Sequence, residues 1–300
     1  MVNIRKRKKG NKEYYYLEHS YREGKKVRKK EKYLGSKVPQ DIEDIKKKFI
    51  SEIYKEQWFN SFDLIKKNYS KEQKILPKSL KEKQTENFMI RFTYNTQRIE
   101  GSTLTLKETA DLLERGTSPK GKPIRDAKEA EAHKEVFYEM SGHKGELTNQ
   151  IVLKWNRDLL KNTKPDIAGK IRKHQVLIAR SKFVPPIPAE LDFLLKEFFD
   201  WYGKHKSKVH PLELSALVHL KFVTIHPFGD GNGRISRIMM NFALNKHNFP
   251  MLDIPYSRRT GYYNALERSQ VKKDETIFVH WFFRNYLKIN KKYLKGDHKK

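Results

Sequence analysis

The sequence predicts an all-α fold that is preceded by a short β-structure at the N-terminus. Apolar residues recur at the three- and four-residue spacing of amphipathic helices through most of residues 79–294. Pro188 and Pro211 stand where helices would begin, because proline lacks the N–H that a first helical turn leaves unbonded. Two stretches break this pattern, residues 1–40 and 169–184, and both are extended in character.

Composition limits the class of protein. The chain has 300 residues, of which 33% are charged, and its net charge is +28. A surplus of this size favours partners that carry phosphate, although it serves solubility equally well. The sequence contains no cysteine, which excludes disulfides and thiolate metal sites. Because no apolar run approaches the roughly 20 residues that span a bilayer, we expect a cytoplasmic protein without a membrane partner.

Residues 1–40 are predicted to form a basic β-hairpin. They carry a surplus of ten positive charges, and tyrosines at 14–16 and 33 flank a turn at Glu23-Gly24. Lysines interleaved with tyrosines can follow a nucleic-acid backbone while the rings stack on bases, which makes nucleic acid a candidate partner of this segment. A solvated hairpin that caps the next helix is the simpler interpretation, because no nucleic-acid-binding motif accompanies the charge.

A connecting helix and a linker are predicted for residues 41–78. Apolar residues from Ile42 to Phe62 recur at helical spacing, and residues 68–78 are polar and contain Pro77. The main domain, residues 79–295, follows, and residues 296–300 are a basic tail. Its helices are predicted near residues 79–99, 105–115, 125–141, 148–162, 188–206, 211–225, 232–247, 262–273 and 276–294. A short β-hairpin is predicted at residues 169–184.

The densest cluster of functional groups lies between two apolar helical runs, from His226 to Arg237, with the sequence HPFGDGNGRISR. Pro227 cannot continue the preceding helix, which therefore ends near His226. Gly231 and Gly233 permit a loop that opens directly into the next helix. Free backbone N–H groups converge at that helix N-terminus, where the helix dipole also favours an anion.

The side chains of this loop extend the same chemistry. Arg234 and Arg237 share one face of the helix, and the planar fork of arginine suits phosphate oxygens. Asp230 is a lone carboxylate, and Mg²⁺ commonly takes one carboxylate together with substrate phosphates and water. A neutral His226 can accept the proton of an attacking hydroxyl. A capped turn with surface arginines would explain each residue alone, but not the histidine together with both arginines.

The loop matches the signature HPFxDGNGRxxR at all of its fixed positions, and residues from about 88 to 287 resemble Fic-domain proteins. The resemblance implies an adenylyltransferase that moves AMP from ATP to a Ser, Thr or Tyr hydroxyl of a protein, with release of pyrophosphate. It also implies a helical Fic core. By this resemblance His226 is the general base, Asp230 holds Mg²⁺, Arg234 and Arg237 contact the β- and γ-phosphates, and the anion hole is formed by Gly231, Asn232 and Gly233.

One further position bears on the reaction. Related Doc toxins transfer the γ-phosphate and carry lysine where this chain has Gly233, so the glycine favours nucleotidyl transfer.

Thr96 to Gly101 resembles the inhibitory pattern [ST]xxxE[GN] of the family. This resemblance implies that Glu100 pairs with Arg237 and takes the place of the γ-phosphate. A helix C-terminus capped by Gly101 is also consistent with these residues.

The resemblance implies contacts outside the loop as well. The segment at residues 169–184 corresponds to the flap, a hairpin that docks a target protein by strand addition, with contacts expected at Val176, Leu177, Ile178, Ala179 and Phe183. Members of the family contact the nucleobase at a set spacing after the core helix, and in this chain the residues at that spacing are Tyr262, Tyr263 and Asn264. Stacking of a tyrosine on adenine is expected there, although packing of these rings in the core is an equal alternative.

Other functions stay open at this stage. Relatives with the inhibitory glutamate include enzymes that remove AMP, and other relatives transfer a different nucleotide at the same site. The alternative of another class is a nucleic-acid-binding regulatory protein with a non-catalytic Fic module. Self-modification and a homodimer are expected from the family, and the target protein is not identified by the sequence.

Overall fold

The computed structural model describes residues 2–23, 26–179 and 181–294. Gly24 of the predicted turn, Arg180 within the predicted contact stretch and the predicted tail at 296–300 lie outside the described residues. The chain divides into two compact units, Met1–Leu64 and Ile65–Lys300.

The first unit contains an antiparallel sheet and most of a long helix. The strands β1 (Asn3–Lys9), β2 (Lys12–Glu23) and β3 (Lys26–Gly35) lie in the order β1-β2-β3, and α1 spans Ile42–Ile75. Leu17 of β2 is buried with Phe49 and Ile53 of α1. The predicted hairpin corresponds to β2 and β3, but the sequence analysis missed β1. Its alternation is mostly between lysine and arginine, so it lacks the apolar face that identifies a strand.

Helix α1 is longer than predicted. It continues to Ile75, so most of the polar linker expected at residues 68–78 is helical. The polar residues in this stretch are glutamate, glutamine and lysine, which are good helix formers. The chain leaves the helix only ahead of Pro77, which has φ −55° and precedes α2.

The second unit is helical. Its elements are α2 (Lys78–Ile99), α3 (Leu106–Arg115), α4 (Ile124–Gly142), α5 (Asn149–Leu160), α6 (Leu191–His205), α7 (Pro211–Ile225), α8 (Asn232–Lys246), α9 (Arg259–Lys272) and α10 (Glu275–Ile289). These bounds agree with the predicted helices to within about three residues, except that α10 ends five residues early and a 3₁₀ turn follows. Among the described residues, no helix is long and apolar enough to cross a bilayer.

Helices α7 and α8 form the centre of this unit. Val218 and Phe222 of α7 are buried in one apolar cluster with Ile235 and Met239 of α8. The same cluster includes side chains from α2, α4, α5 and α6. Because both helices are fixed by this packing, the loop between them, residues 226–231, has its two ends held in place.

The β-hairpin predicted at residues 169–184 is absent from the described residues. The segment makes one isolated bridge, between Ile171 and Phe228, and no strand ladder. Its backbone groups bond elsewhere: Lys182 N donates to Glu267 Oε2 at 3.0 Å, and Ser181 N closes a turn onto Ile178 O at 3.1 Å. Pro185 and Pro186 also lack the N–H that a ladder needs. The segment is therefore extended without a paired strand of its own.

Candidate active site

His226 lies at the end of α7 in a left-handed backbone conformation, with φ +53°. Its Nδ1 lies 3.2 Å from Val223 O. Because a carbonyl only accepts hydrogen bonds, this contact assigns the proton to Nδ1 and leaves a lone pair on Nε2. Burial lowers the pKa of His226 below its ordinary value, so the imidazole is neutral at pH 7. The side chain is in the form that a general base requires.

The loop after His226 is stabilised by its own residues. Gly231 has φ +83°, a conformation that favours glycine, and α8 begins at the next residue. Asn232 Oδ1 accepts from Phe228 N at 2.9 Å, and its Nδ2 donates to Phe228 O at 2.8 Å. Both polar atoms of this amide are used within the loop. These bonds use Oδ1 and one of the two N–H groups of Nδ2, and the part of Asn232 in an anion hole stays a prediction.

Asn156 of α5 braces the same loop, and the sequence analysis did not find it. Its Nδ2 donates to Asp230 O at 3.0 Å, and its Oδ1 accepts from Gly169 N at 2.8 Å. A Cβ atom at position 231 would lie 2.9 Å from Asn156 Nδ2, so glycine is required there for space as well as for conformation. The only sequence signal was a polar residue on the buried face of an amphipathic helix.

Asp230 is held by three neighbours. Lys164 Nζ contacts Oδ2, Arg234 Nη2 lies 3.0 Å from Oδ1, and Gly231 N donates to Oδ1 at 2.5 Å. Burial alone would raise the pKa of this carboxyl, but Arg234 and Lys164 lower it below its ordinary value. Asp230 is therefore ionised, as a metal ligand must be. Lys164 was not predicted, because it lies in a turn without any motif.

The donor set at Asp230 suits a magnesium ion that is also bound by substrate. Among the described residues, no three His, Cys, Asp or Glu side chains lie together to hold a metal ion. A single carboxylate at the N-terminus of a helix leaves the remaining positions to phosphate oxygens and water, which is the arrangement that Mg²⁺ favours.

Arg234 is fully buried and its guanidinium is held by two carboxylates. Nη1 donates to Glu129 Oε2 at 2.5 Å, and Nη2 contacts Asp230. Burial would lower the pKa of Arg234, but Asp230 and Glu129 raise it. Glu129 of α4 was not predicted. The contact of Arg234 with a β-phosphate stays a prediction, and in this arrangement the side chain orients Asp230.

Arg237 and Glu100 form the ion pair that the family resemblance implies. Arg237 Nη2 lies 2.5 Å from Glu100 Oε1, and Arg237 Nε contacts Thr96 Oγ1. Thr96 and Glu100 are four residues apart at the end of α2 and meet the same guanidinium. A Cβ atom at position 233 would overlap with Glu100 Oε1, so Gly233 leaves room for the carboxylate. The inhibitory role of Glu100 stays a prediction.

Tyr262 is packed in the core, which is the alternative to stacking on adenine that the sequence left open. Its ring is only 1% exposed and packs against Trp281 and Phe278. Its hydroxyl contacts Arg237 Nη1 at 3.2 Å and His219 Nε2 at 2.9 Å. The neighbouring Tyr263 and Asn264 are exposed on α9 and stay candidates for contact with a nucleobase.

The predicted docking segment lies beside the loop, and Arg172 ties the two together. Its Nε donates to His226 O at 2.9 Å, and its Nη2 donates to Pro186 O at 2.6 Å. The sequence analysis missed this arginine. Of the five predicted contact residues, Leu177 and Ala179 are exposed, whereas the others, Val176, Ile178 and Phe183, are half-buried.

Comparison with known proteins is consistent with this geometry. Residues 146–244, which contain the loop and α8, match the model of the Fic/DOC family. Over these residues the chain is similar to Fic domains. A structure of a Fic-domain-containing signaling protein from Bacteroides thetaiotaomicron superimposes with a TM-score of 0.69 at 28% identity, over 77% of this chain and 96% of that chain. Fic-1 from C. elegans gives a TM-score of 0.70 at 26% identity, over 82% of this chain and 72% of that chain.

Curated relatives of the Fic domain carry one name. Protein adenylyltransferase Fic of Drosophila ananassae is 36% identical over 178 residues, which is 58% of this chain and 35% of that protein. Its counterpart in Drosophila melanogaster is 34% identical over the same length, or 36% of that protein. The chain thus spans about a third of the length of the curated relatives that it matches.

Proposed function

We propose that this chain is a protein adenylyltransferase, which transfers AMP from ATP to a Ser, Thr or Tyr hydroxyl of a protein and releases pyrophosphate. One observation carries the proposal. A neutral histidine, an ionised aspartate and two buried arginines surround a glycine loop that opens into the N-terminus of α8. The name of the curated relatives supports the same reaction.

His226 acts as the general base. Its Nδ1 proton is donated to Val223 O, so the lone pair of Nε2 is available to take the proton of the attacking hydroxyl. The oxygen then attacks the α-phosphorus, and the bond from that phosphorus to the bridging oxygen of the pyrophosphate breaks. The proton on Nε2 leaves to solvent after the product dissociates.

The opposite side of the loop stabilises the leaving pyrophosphate. Backbone N–H groups at the start of α8 and the guanidinium groups are fixed before substrate binds, so they cost little reorganisation in the transition state. Asp230 would hold Mg²⁺, which supplies charge neutralisation for the polyphosphate when it is bound.

Glu100 restrains the reaction. Its carboxylate already accepts a hydrogen bond from Arg237, the side chain expected to bind the terminal phosphate. ATP therefore has to break this charged hydrogen bond before its terminal phosphate can bind Arg237. Such bonds contribute about 1.5–3 kcal/mol, which corresponds to a loss of roughly 10-fold or more in productive ATP binding.

Two rival reactions use the same groups. Removal of AMP would use the site on a modified protein, and transfer of another nucleotide would differ only at the nucleobase. Incubation with ATP labelled at the α-phosphate should label protein, whereas ATP labelled at the γ-phosphate should not. Label from the γ-phosphate, or a preference for UTP or GTP over ATP, would contradict the proposal, and so would release of AMP from an adenylylated protein without any forward transfer.

A further inference from the structure

The three-stranded sheet of the first unit has one covered face and one open face. Leu17 lies on the covered face, where it packs against α1. Cross-strand partners share a face, so the strand register identifies the residues on the side of the sheet that faces away from α1. It places Arg5 opposite Tyr16, Arg7 opposite Tyr14 and Tyr16 opposite Tyr33. We call this the open face, and it also carries the charged residues Lys9, Lys12, Glu18, Lys29 and Glu31.

Charge on the open face is positive and ordered. Among the side chains that the structure describes there, the seven charged groups named above comprise five cations and two carboxylates. The carboxylates hold the cations in place: Arg5 Nε lies 3.0 Å from Glu18, and Arg7 Nη2 lies 2.5 Å from Glu31. The guanidinium of Arg7 also lies 4.7 Å above the ring of Tyr16. Holding two arginines in this way reduces the entropy that they lose on binding a phosphate.

The aromatic residues of this face decide against base stacking. Tyr16 is covered by Arg7 on its ring and lies 5.2 Å from Tyr33 between centroids, at an angle of 50°. A single-stranded nucleic acid needs free ring faces as platforms for its bases. Arg7 covers the ring of Tyr16, and the ring of Tyr33, although 54% exposed, is tilted against its neighbours rather than parallel to them. The face therefore lacks a row of parallel rings for bases and is better suited to phosphates and groove edges.

The shape of the sheet favours a B-form duplex. Strands about 4.8 Å apart make a three-stranded ribbon roughly 10 Å wide between its outer strands, and the major groove of B-DNA is about 12 Å wide. The major groove of A-form RNA is too narrow for side chains to enter. Lys9 and Lys12 flank the β1–β2 turn at the end of the ribbon, where both are exposed.

We propose that the open face binds duplex DNA in the major groove, mainly through the phosphate backbone. Arg5, Arg7 and Lys29 contact the phosphates along the groove, and Lys9 and Lys12 contact them at the β1–β2 turn. This interaction is independent of the nucleotidyl transfer proposed above, since it uses residues of the first unit only.

The test is fluorescence anisotropy of the full chain with a 20-bp DNA duplex at several salt concentrations. We expect binding in the micromolar range or tighter at low salt. The variant Lys9→Glu/Lys12→Glu should bind at least 10-fold more weakly, and the slope of log affinity against log salt should fall by about 2, since each phosphate contact contributes about 0.9.

The control is Lys120→Glu/Lys144→Glu, which makes the same charge change at exposed lysines of the second unit. It should weaken binding less than threefold. Equal weakening by both variants, or failure of the wild-type chain to bind duplex at low salt, would overturn the proposal. Tighter binding of the single strand or of duplex RNA would overturn the choice of B-form DNA. Circular dichroism of each variant checks that the overall fold is retained.

Discussion

At Asp230 a lysine holds the oxygen that a metal ion would use. Oδ1 is occupied by Arg234 and by Gly231 N, while Lys164 is the contact of Oδ2. The side chain of Lys164 is 37% exposed, whereas that of Arg234 is buried. Lys164 is therefore the partner that can most easily move away from Asp230. In the proposed mechanism, a magnesium ion that binds Asp230 would have to displace Lys164, whose positive charge also repels the metal ion.

Replacement of this lysine should strengthen metal binding. In Lys164→Met we expect the affinity for Mg²⁺, measured by calorimetry with a saturating non-hydrolysable ATP analogue, to rise about twofold to fivefold. A partly exposed ion pair contributes up to about 1 kcal/mol, which sets this limit. Lys170→Met is the control, because Lys170 Nζ bonds to Asp166 O at 2.9 Å and does not contact Asp230. Unchanged or weaker Mg²⁺ affinity in Lys164→Met would contradict this account.

The proposed role of His226 as general base predicts how the reaction depends on pH. Burial lowers its pKa below the ordinary value of 6.5, and the nearby Arg172 acts in the same direction. Because the neutral imidazole is the active form in the proposed mechanism, the acidic midpoint of kcat/KM for Glu100→Gly should lie below pH 6.5. The measurement is a pH profile at saturating Mg²⁺, and an acidic limb with its midpoint at or above pH 6.5 would count against a buried histidine base.

For individual residues, the sequence predicted only those parts of the site that are contiguous along the chain. The loop from His226 to Arg237 could be assigned because its chemistry is contiguous in sequence. Lys164, Asn156 and Glu129 are brought to it from other elements, and no local pattern marks them. Two roles stayed open for Tyr262, because a one-turn spacing cannot tell which face of α9 is buried.

At the level of elements, the sequence predicted the bounds of α2 to α9 closely, because most of these helices begin at a proline, a glycine or a capping threonine. The prediction failed where the backbone conformation is determined by interactions other than the packing of an apolar face. The segment at 169–184 is fixed by the side chain of Arg172 and by prolines rather than by strand pairing. Strand β1 has no apolar periodicity and depends on its hydrogen bonds to β2.

The unpaired segment at residues 176–183 is the element expected to receive a target by strand addition. Leu177 is 78% exposed there, and an aspartate at this position would disfavour contact with an apolar or extended partner. In the Glu100→Gly background, Leu177→Asp should lower transfer to an inactive His226→Ala copy at least about 10-fold, while the affinity for the ATP analogue stays the same.

A matched control separates docking from a general effect on the surface. Ile124 is 73% exposed at the start of α4, so Ile124→Asp introduces the same charge on a similarly exposed apolar residue. It should leave transfer unchanged. Equal transfer by the Leu177→Asp and Ile124→Asp variants would remove the docking role from this segment.

At the scale of the whole molecule, two units carry two chemistries. The second unit brings together α2, α5, α8 and the loop at 226–231 at the proposed polyphosphate site, where Glu100 at the end of α2 contacts Arg237. The first unit presents a basic sheet face. Net charge alone indicated phosphate-bearing partners, but only the strand register shows which cations share one face.

The proposed transfer of AMP is best tested by intact-mass analysis after incubation with Mg²⁺ and ATP. Glu100→Gly should gain the mass of one or more AMP groups, at a rate at least about 10-fold above that of the wild-type chain, because the restraint on Arg237 is lost. Glu100→Gly/His226→Ala should gain none. An unmodified Glu100→Gly chain that is folded and binds ATP, or the same gain of mass in the double variant, would contradict the account.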